Sequence, residues 1–114
     1  MSFTIWHNPR CTKSRQTLAL LEEKGITPTV REYLTDSPSE KEVESVLKKL
    51  GVAPRDAMRT KEAIYKELGL KEETSDKKLI HAMVKNPILI ERPIVISGNK
   101  AVLGRPPENI KDLL

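Results

Sequence analysis

The stretch Thr4-Ile5-Trp6-His7-Asn8-Pro9-Arg10-Cys11-Thr12-Lys13-Ser14-Arg15-Gln16-Thr17-Leu18 decides the reading of the chain. Ser2 to His7 has strand composition. Asn8-Pro9 marks a turn, because a proline pushes the residue before it out of the α region, and an amphipathic run begins at about Cys11. Cys11 therefore stands near the start of a helix, where unpaired backbone N–H groups and the positive end of the helix dipole favour an anion over a neutral thiol. A free thiol titrates near pH ~8.5, and helix N-termini with nearby cations lower that to about 3.5–7.5. His7, Arg10, Lys13 and Arg15 add such charge. A free cysteine is by default a buried packing residue, but a basic, turn-flanked stretch is a poor place to bury one, so Cys11 reads as a nucleophile. Ser14 returns to the same end of the helix. Its hydroxyl either reaches the sulfur or is an ordinary helix-surface group.

Working outward, the first helix runs from Thr12 to Lys24 with Leu18, Leu20 and Leu21 as its apolar side chains, and Gly25 ends it. Thr29 to Leu34 reads as a second strand, which makes a βαβ unit with parallel strands and a right-handed crossover. In Ser37-Pro38-Ser39-Glu40, Ser37 is the expected N-cap, Pro38 takes the first helical position and Glu40 the third. Val43, Val46, Leu47 and Leu50 follow at helical spacing up to Gly51. A further turn over Pro54–Met58 and a helix from Thr60 to Leu68, stopped by Gly69, come next. A last helix of this region is capped by Ser75 or Asp76, carries Leu79, Ile80, Met83 and Val84 on one face, and closes at Asn86-Pro87. Pro93–Ser97 and Lys100–Leu103 form a hairpin about Gly98-Asn99. A short terminal helix then buries Ile110, Leu113 and Leu114.

The expected fold is α/β, a four-stranded mixed sheet with helices on its faces in one domain over 1-114. Its core spans about 1-36 and 88-114, and a helical insertion spans about 37-87.

Composition narrows the function. The chain has 114 residues, 38% hydrophobic but only 4% aromatic, so its core is built from Leu, Ile and Val. No apolar run approaches the roughly 20 residues of a membrane span, and the N-terminus has no signal-peptide pattern, so a soluble cytoplasmic protein with no membrane contact is expected. Twenty Lys and Arg against 16 Asp and Glu give +4. That excess is spread along the chain, which suits a small anion and not direct contact with nucleic acid. The one cysteine can form no disulfide within the chain, so thiol exchange at Cys11 needs an external thiol. A metal is not expected: His7 and Cys11 are four apart, but His81 is remote and reads as structural. No bound cofactor is expected.

A strand, a cysteine at a helix start, a second strand, then Arg92-Pro93 before a hairpin and terminal helix make the thioredoxin-like layout. Four motifs run nearly end to end. They are His7-Asn8-Pro9-Arg10-Cys11 with Ser14-Arg15; Met58-Arg59-Thr60 with Tyr65-Lys66-Glu67-Leu68-Gly69-Leu70; Asn86-Pro87-Ile88-Leu89-Ile90-Glu91-Arg92-Pro93-Ile94-Val95; and Gly104-Arg105-Pro106-Pro107-Glu108. In these motifs and their order the sequence resembles the glutaredoxin-dependent arsenate reductase family, which includes the Spx-type regulators of RNA polymerase. The resemblance implies that Cys11 is the nucleophile that attacks arsenate and that His7 helps keep it ionised. It implies that Arg59, Arg92 and Arg105 bind the oxyanion, that Pro93 is the cis-proline set against the cysteine, and that Ser14 and Arg15 support the site. Taken singly, each arginine reads as a solvated surface residue; the shared motifs make the three of them ligands. Glutathione as co-substrate and glutaredoxin as partner follow from the same resemblance. After the cysteine, this chain has Thr12-Lys13-Ser14 where the best-known members carry Gly-Thr-Ser, a form more like a less characterised branch. A second reading is an Spx-like regulator, but Ser14 stands where that group's second cysteine would be.

Overall fold

The computed structural model describes residues 2–114. The chain divides into two compact units, one made of residues up to Asp36 together with Arg92–Leu114, the other of Ser37–Glu91.

The first unit holds the sheet. Its strands are β1 (Phe3–Trp6), β2 (Thr29–Arg31), β3 (Ile94–Ser97) and β4 (Lys100–Leu103), and its helix is α1 (Thr12–Glu23). The order is β2-β1-β3-β4, with β1 parallel to β2 and antiparallel to β3, so the sheet is mixed. Ile5, on the central strand, and Leu21, on α1, are fully buried with Val95, Ile110 and Leu113. Each of these side chains contributes about 1.5–3 kcal/mol on burial. Gly25, at φ 80°, follows the C-cap Lys24 of α1 and lets the chain turn back toward β2.

Register decides where the functional residues fall. Trp6 pairs with Arg31 on one side and with Ile94 on the other, and Ile94 pairs in turn with Leu103. His7, Glu32, Pro93 and Gly104 are the next residues at these four strand ends. The turn after β1, the Arg92-Pro93 step before β3 and the Gly104-Arg105 step after β4 therefore leave the same end of the sheet.

At that end Gly104 is where three segments meet. Its N–H donates to Pro93 O at 2.9 Å, and a Cβ there would lie 2.7 Å from Pro93 Cγ and from Thr17 Oγ1. Thr17 is fully buried on α1, with its hydroxyl 2.8 Å from Lys13 O and 3.1 Å from Gly104 O. The Arg92-Pro93 and Arg105-Pro106 peptide bonds are both cis.

The second unit is helical. It contains α2 (Glu40–Leu50), the short α3 (Ala63–Glu67) and α4 (Asp76–Lys85), joined by single 3-10 turns at Pro54–Ala57, Leu70–Glu72 and Pro87–Leu89. Val43, Val46 and Leu47 of α2 and Leu79, Ile80 and Met83 of α4 are buried. Arg55 ties the connections together, donating to Tyr65 Oη, to Leu70 O at 2.8 Å and to Glu73 O.

Several boundaries differ from the sequence reading. β2 stops at Arg31 instead of Leu34, because Glu32 O accepts from Thr35 N–H and Asp36 N–H and turns the chain. The cap of α2 is Ser39 and not Ser37. Ser39 Oγ accepts from Glu42 N–H while Glu42 Oε1 accepts from Ser39 N–H, a complete capping box two residues later, and Ser37 Oγ instead donates to Val84 O. α3 begins at Ala63, since Glu62 N–H closes a turn on Arg59 O first. Ser75 caps α4 by accepting from Lys78 N–H. The insertion ends at Glu91 instead of about residue 87. Arg59 N–H to Leu89 O, Glu91 N–H to Ala57 O and the Met58–Ile90 bridge tie residues 89–91 to the helical unit. The terminal segment Pro107–Leu113 is a 3-10 helix, and Leu114, just past it, is 60% exposed and does not pack inward.

Gly104→Ala forces Pro93 or Thr17 aside, so overpacking lowers stability by about 1–3 kcal/mol, read by denaturant unfolding. Ser39→Ala removes a cap and costs about 1 kcal/mol, whereas Ser37→Ala leaves the helix start untouched.

Candidate active site

The turn after β1 is built from its own backbone. His7 N–H extends the ladder to Arg31 O at 2.8 Å, Asn8 Oδ1 accepts from Arg10 N–H, and Asn8 O accepts from Cys11 N–H at 3.0 Å. Cys11 is then the N-cap of α1, in extended conformation at φ −94° and ψ 123°, and its carbonyl accepts from Arg15 N–H at 3.0 Å. This position is usually held by Ser, Thr, Asp or Asn, whose oxygen meets the free N–H groups of the first turn. Here it holds a sulfur.

The half-buried Cys11 thiol is driven in two directions. Burial pushes its pKa up, but the Ser14 N–H, the Arg92 charge, the Lys13 N–H and a hydrogen bond from the Arg92 side chain all favour the anion and together win, so the thiol titrates below its ordinary value. Arg92 is thus brought to Cys11 from the far side of the chain, by its place one residue before Pro93.

His7 and Ser14 form the layer beneath. Ser14 is fully buried and His7 is 6% exposed. His7 Nδ1 lies 2.6 Å from Ser14 Oγ, and Ser14 Oγ accepts from Asn8 N–H at 3.0 Å. The Ser14 hydroxyl is therefore spent on His7 and Asn8. It is neither a surface group nor the sulfur's donor; Ser14 serves Cys11 with its backbone N–H instead. Burial lowers the His7 pKa, Glu32 opposes that and Arg15 adds to it, with a net lowering that leaves the ring neutral at pH 7. A neutral, buried imidazole contributes no cation to the thiolate. The ring's hydrogen bond is to Ser14, in the first turn of α1.

The remaining expected site residues are placed as follows. Pro93 is buried against Gly104 at the start of β3. Arg15 folds back over the turn to Pro9 O at 2.8 Å and Thr12 Oγ1 at 3.3 Å. Arg105 is exposed on the step after β4, and its carbonyl accepts from Asn109 Nδ2 at 3.3 Å. Arg59 belongs to the helical unit, where it pairs with Glu62 Oε1 at 2.8 Å. Asn8, Thr17 and Gly104 are not among the site residues expected from the sequence, although Asn8 and Gly104 stand in its motifs. Only Asn8 had a local signal, its place before a proline. Among the described residues, no group of three or more His, Cys, Asp or Glu could hold a metal ion, and no helix is long and apolar enough to cross a membrane.

Comparison with known proteins adds a family. Residues 6–113 match the model of the ArsC family. The chain is 50% identical to an arsenate reductase of Haemophilus influenzae, an alignment covering all of both chains. It is 48% identical to the uncharacterized protein YfgD of Escherichia coli, covering 96% of this chain and 94% of the other. Among solved structures, the arsenate reductase from Vibrio cholerae superposes with a TM-score of 0.97 at 50% identity, covering 100% of this chain and 98% of that one.

The lowered thiol pKa means that the reactive thiolate persists to lower pH than in a free cysteine, so alkylation by iodoacetamide reaches half-maximal rate below about pH 8.5. Arg92→Ala removes a charge and a donor, so its alkylation midpoint moves up. An unchanged midpoint in Arg92→Ala refutes the contact.

Proposed function

The chain belongs to the ArsC family, and from that membership we propose that it is an arsenate reductase, converting arsenate to arsenite through Cys11. The observation that carries the reading is a cysteine at the N-cap of α1 whose pKa is lowered by first-turn N–H groups and the Arg92 guanidinium. Attack by a thiolate on a tetrahedral oxyanion brings two negative charges together. A planar guanidinium offsets that repulsion and can meet two oxygens at once.

Cys11 Sγ attacks arsenic, an arsenic–sulfur bond forms, and one arsenate oxygen leaves as water. Two thiols then give up two electrons and two protons as they join in a disulfide, a second arsenate oxygen leaves as water, and arsenic passes from the +5 to the +3 state. Hydrolysis of the arsenic–sulfur bond releases arsenite and returns Cys11. The sum is arsenate plus two thiols to arsenite, one disulfide and water. With one cysteine in the chain, both thiols come from outside. We assign the first to glutathione and the resolution of the mixed disulfide to glutaredoxin, by thiolate exchange in the reducing cytoplasm.

By their places in the family motifs, Arg59 and Arg105 join Arg92 as cations for the oxyanion. His7 and Ser14 orient the turn that carries the sulfur, and Pro93 sets Arg92 beside it.

The test is arsenate reduction with glutathione, glutaredoxin and a coupled NADPH readout. Cys11→Ser falls to background, because a hydroxyl lacks the thiolate's nucleophilicity. Arg92→Ala loses about 10–100-fold in kcat/KM, the worth of one charge-assisted hydrogen bond of about 1.5–3 kcal/mol. Arg59→Ala and Arg105→Ala raise KM for arsenate. Turnover by Cys11→Ser equal to that of the native chain sinks the proposal.

A further inference from the structure

The first turn of α1 is charged the wrong way. A helix start favours acidic side chains, and a cation there costs about 0.3–1 kcal/mol. The first turn of α1 has no acidic residue, and its sequence Thr12-Lys13-Ser14-Arg15 carries two cations. Arg15 is exposed and could extend into solvent. Instead its guanidinium turns back six residues, with Nη1 donating to Pro9 O at 2.8 Å and Nη2 to Thr12 Oγ1 at 3.3 Å. Its own backbone N–H donates to Cys11 O at 3.0 Å. One residue therefore grips the chain on both sides of the cysteine.

We propose that Arg15 is a positioning residue for the nucleophile: it straps the Pro9–Thr12 segment across Cys11 and so fixes the sulfur-bearing residue at the N-cap of α1. The fork of the guanidinium matters, because two separate acceptors are met by two nitrogens of one rigid plane. Asn8 fixes the same segment from the other side, through Asn8 O to Cys11 N–H and Asn8 Oδ1 to Arg10 N–H. The turn thus has two independent ties, and Arg15 is the one that reaches over the sulfur-bearing residue. The Arg15 charge also bears on His7, which stays neutral. A neutral imidazole can accept the Ser14 hydroxyl proton at Nδ1, whereas a protonated one could only donate to Ser14 Oγ.

The proposal rests on Cys11 being the nucleophile, and the test separates that from the identity of the substrate. Arg15→Ala, Arg15→Gln and Arg15→Lys are compared with the native chain in iodoacetamide alkylation against pH, in kcat and KM for arsenate, and in Tm. Arg15→Ala is expected to shift the alkylation midpoint upward and to cut kcat about tenfold while KM changes less than about twofold, since a misplaced nucleophile slows the step without removing oxyanion ligands. Arg15→Lys keeps the charge and one donor, so it restores part of both. Arg15→Gln keeps a donor without the charge and falls nearer to Arg15→Ala. A purely structural arginine would lower Tm and leave the alkylation profile in place, and that result overturns the proposal. If Arg15→Ala does not fold, Arg15→Lys decides: an intermediate profile supports the strap, a native one refutes it. If the native chain does not reduce arsenate, the alkylation series still decides the role of Arg15.

Discussion

Everything at this site depends on keeping a negative sulfur at the N-cap of α1. The competition there is plain in its signs. Partial burial of Cys11 works against the anion, and four favourable contributions, two from backbone N–H groups and two from Arg92, work for it. Backbone donors at a helix start are fixed by the helix itself and need no reorganisation when charge appears. Arg92 is different, because it comes from a separate strand and must be delivered. The sheet delivers it. The pairing of Trp6 with Ile94 puts the residue after β1 and the residue before β3 side by side, so the turn that carries the thiol and the step that carries the guanidinium share one end of the sheet.

The same end is closed by contacts that involve no charge. Gly104 sits where a Cβ would clash with both Pro93 and Thr17. The close approach brings the step after β4 against Pro93, and the buried Thr17 hydroxyl ties α1 to Gly104 O. A packing junction of Gly, Pro and Thr therefore sets the frame in which the ionic groups act. It is the kind of supporting layer that fixes a reactive group's geometry without touching substrate.

Legibility in the sequence followed the range of the interaction. The βαβ start, the hairpin about Gly98-Asn99 and the helical middle were readable, because each rests on periodicity or on turn residues a few positions apart. The α2 cap was misplaced by two residues. Ser37-Pro38 and Ser39-Glu42 both satisfy local capping rules, and the choice is made by Val84, 47 residues from Ser37, which takes the first serine's hydroxyl. The Ser14 hydroxyl was misassigned for a similar reason: its partners are the buried His7 ring and the Asn8 N–H, and burial chose them. The Gly104–Thr17 contact spans 87 residues and had no sequence signal. Cys11 itself was legible, since a basic turn before a helix is a local feature.

The geometry also separates two ways of activating a thiol. In one, a neighbouring histidine takes the proton and remains as a cation beside the thiolate. In the other, fixed dipoles and a permanent charge make the anion the stable form before any reactant arrives. His7 is buried and occupied by Ser14, and burial lowers its pKa, whereas a guanidinium is a permanent cation. These features favour the second way, which has a consequence for catalysis. A thiolate stabilised by its surroundings is less basic and so somewhat less nucleophilic than an ordinary one, but a larger fraction of it is present near neutrality. For the oxyanion substrate proposed above that exchange is favourable, because a guanidinium that lowers the thiol's basicity also offsets the charge of an incoming anion. In the proposed reaction one cation serves both partners, and the β1–β3 register is what delivers it.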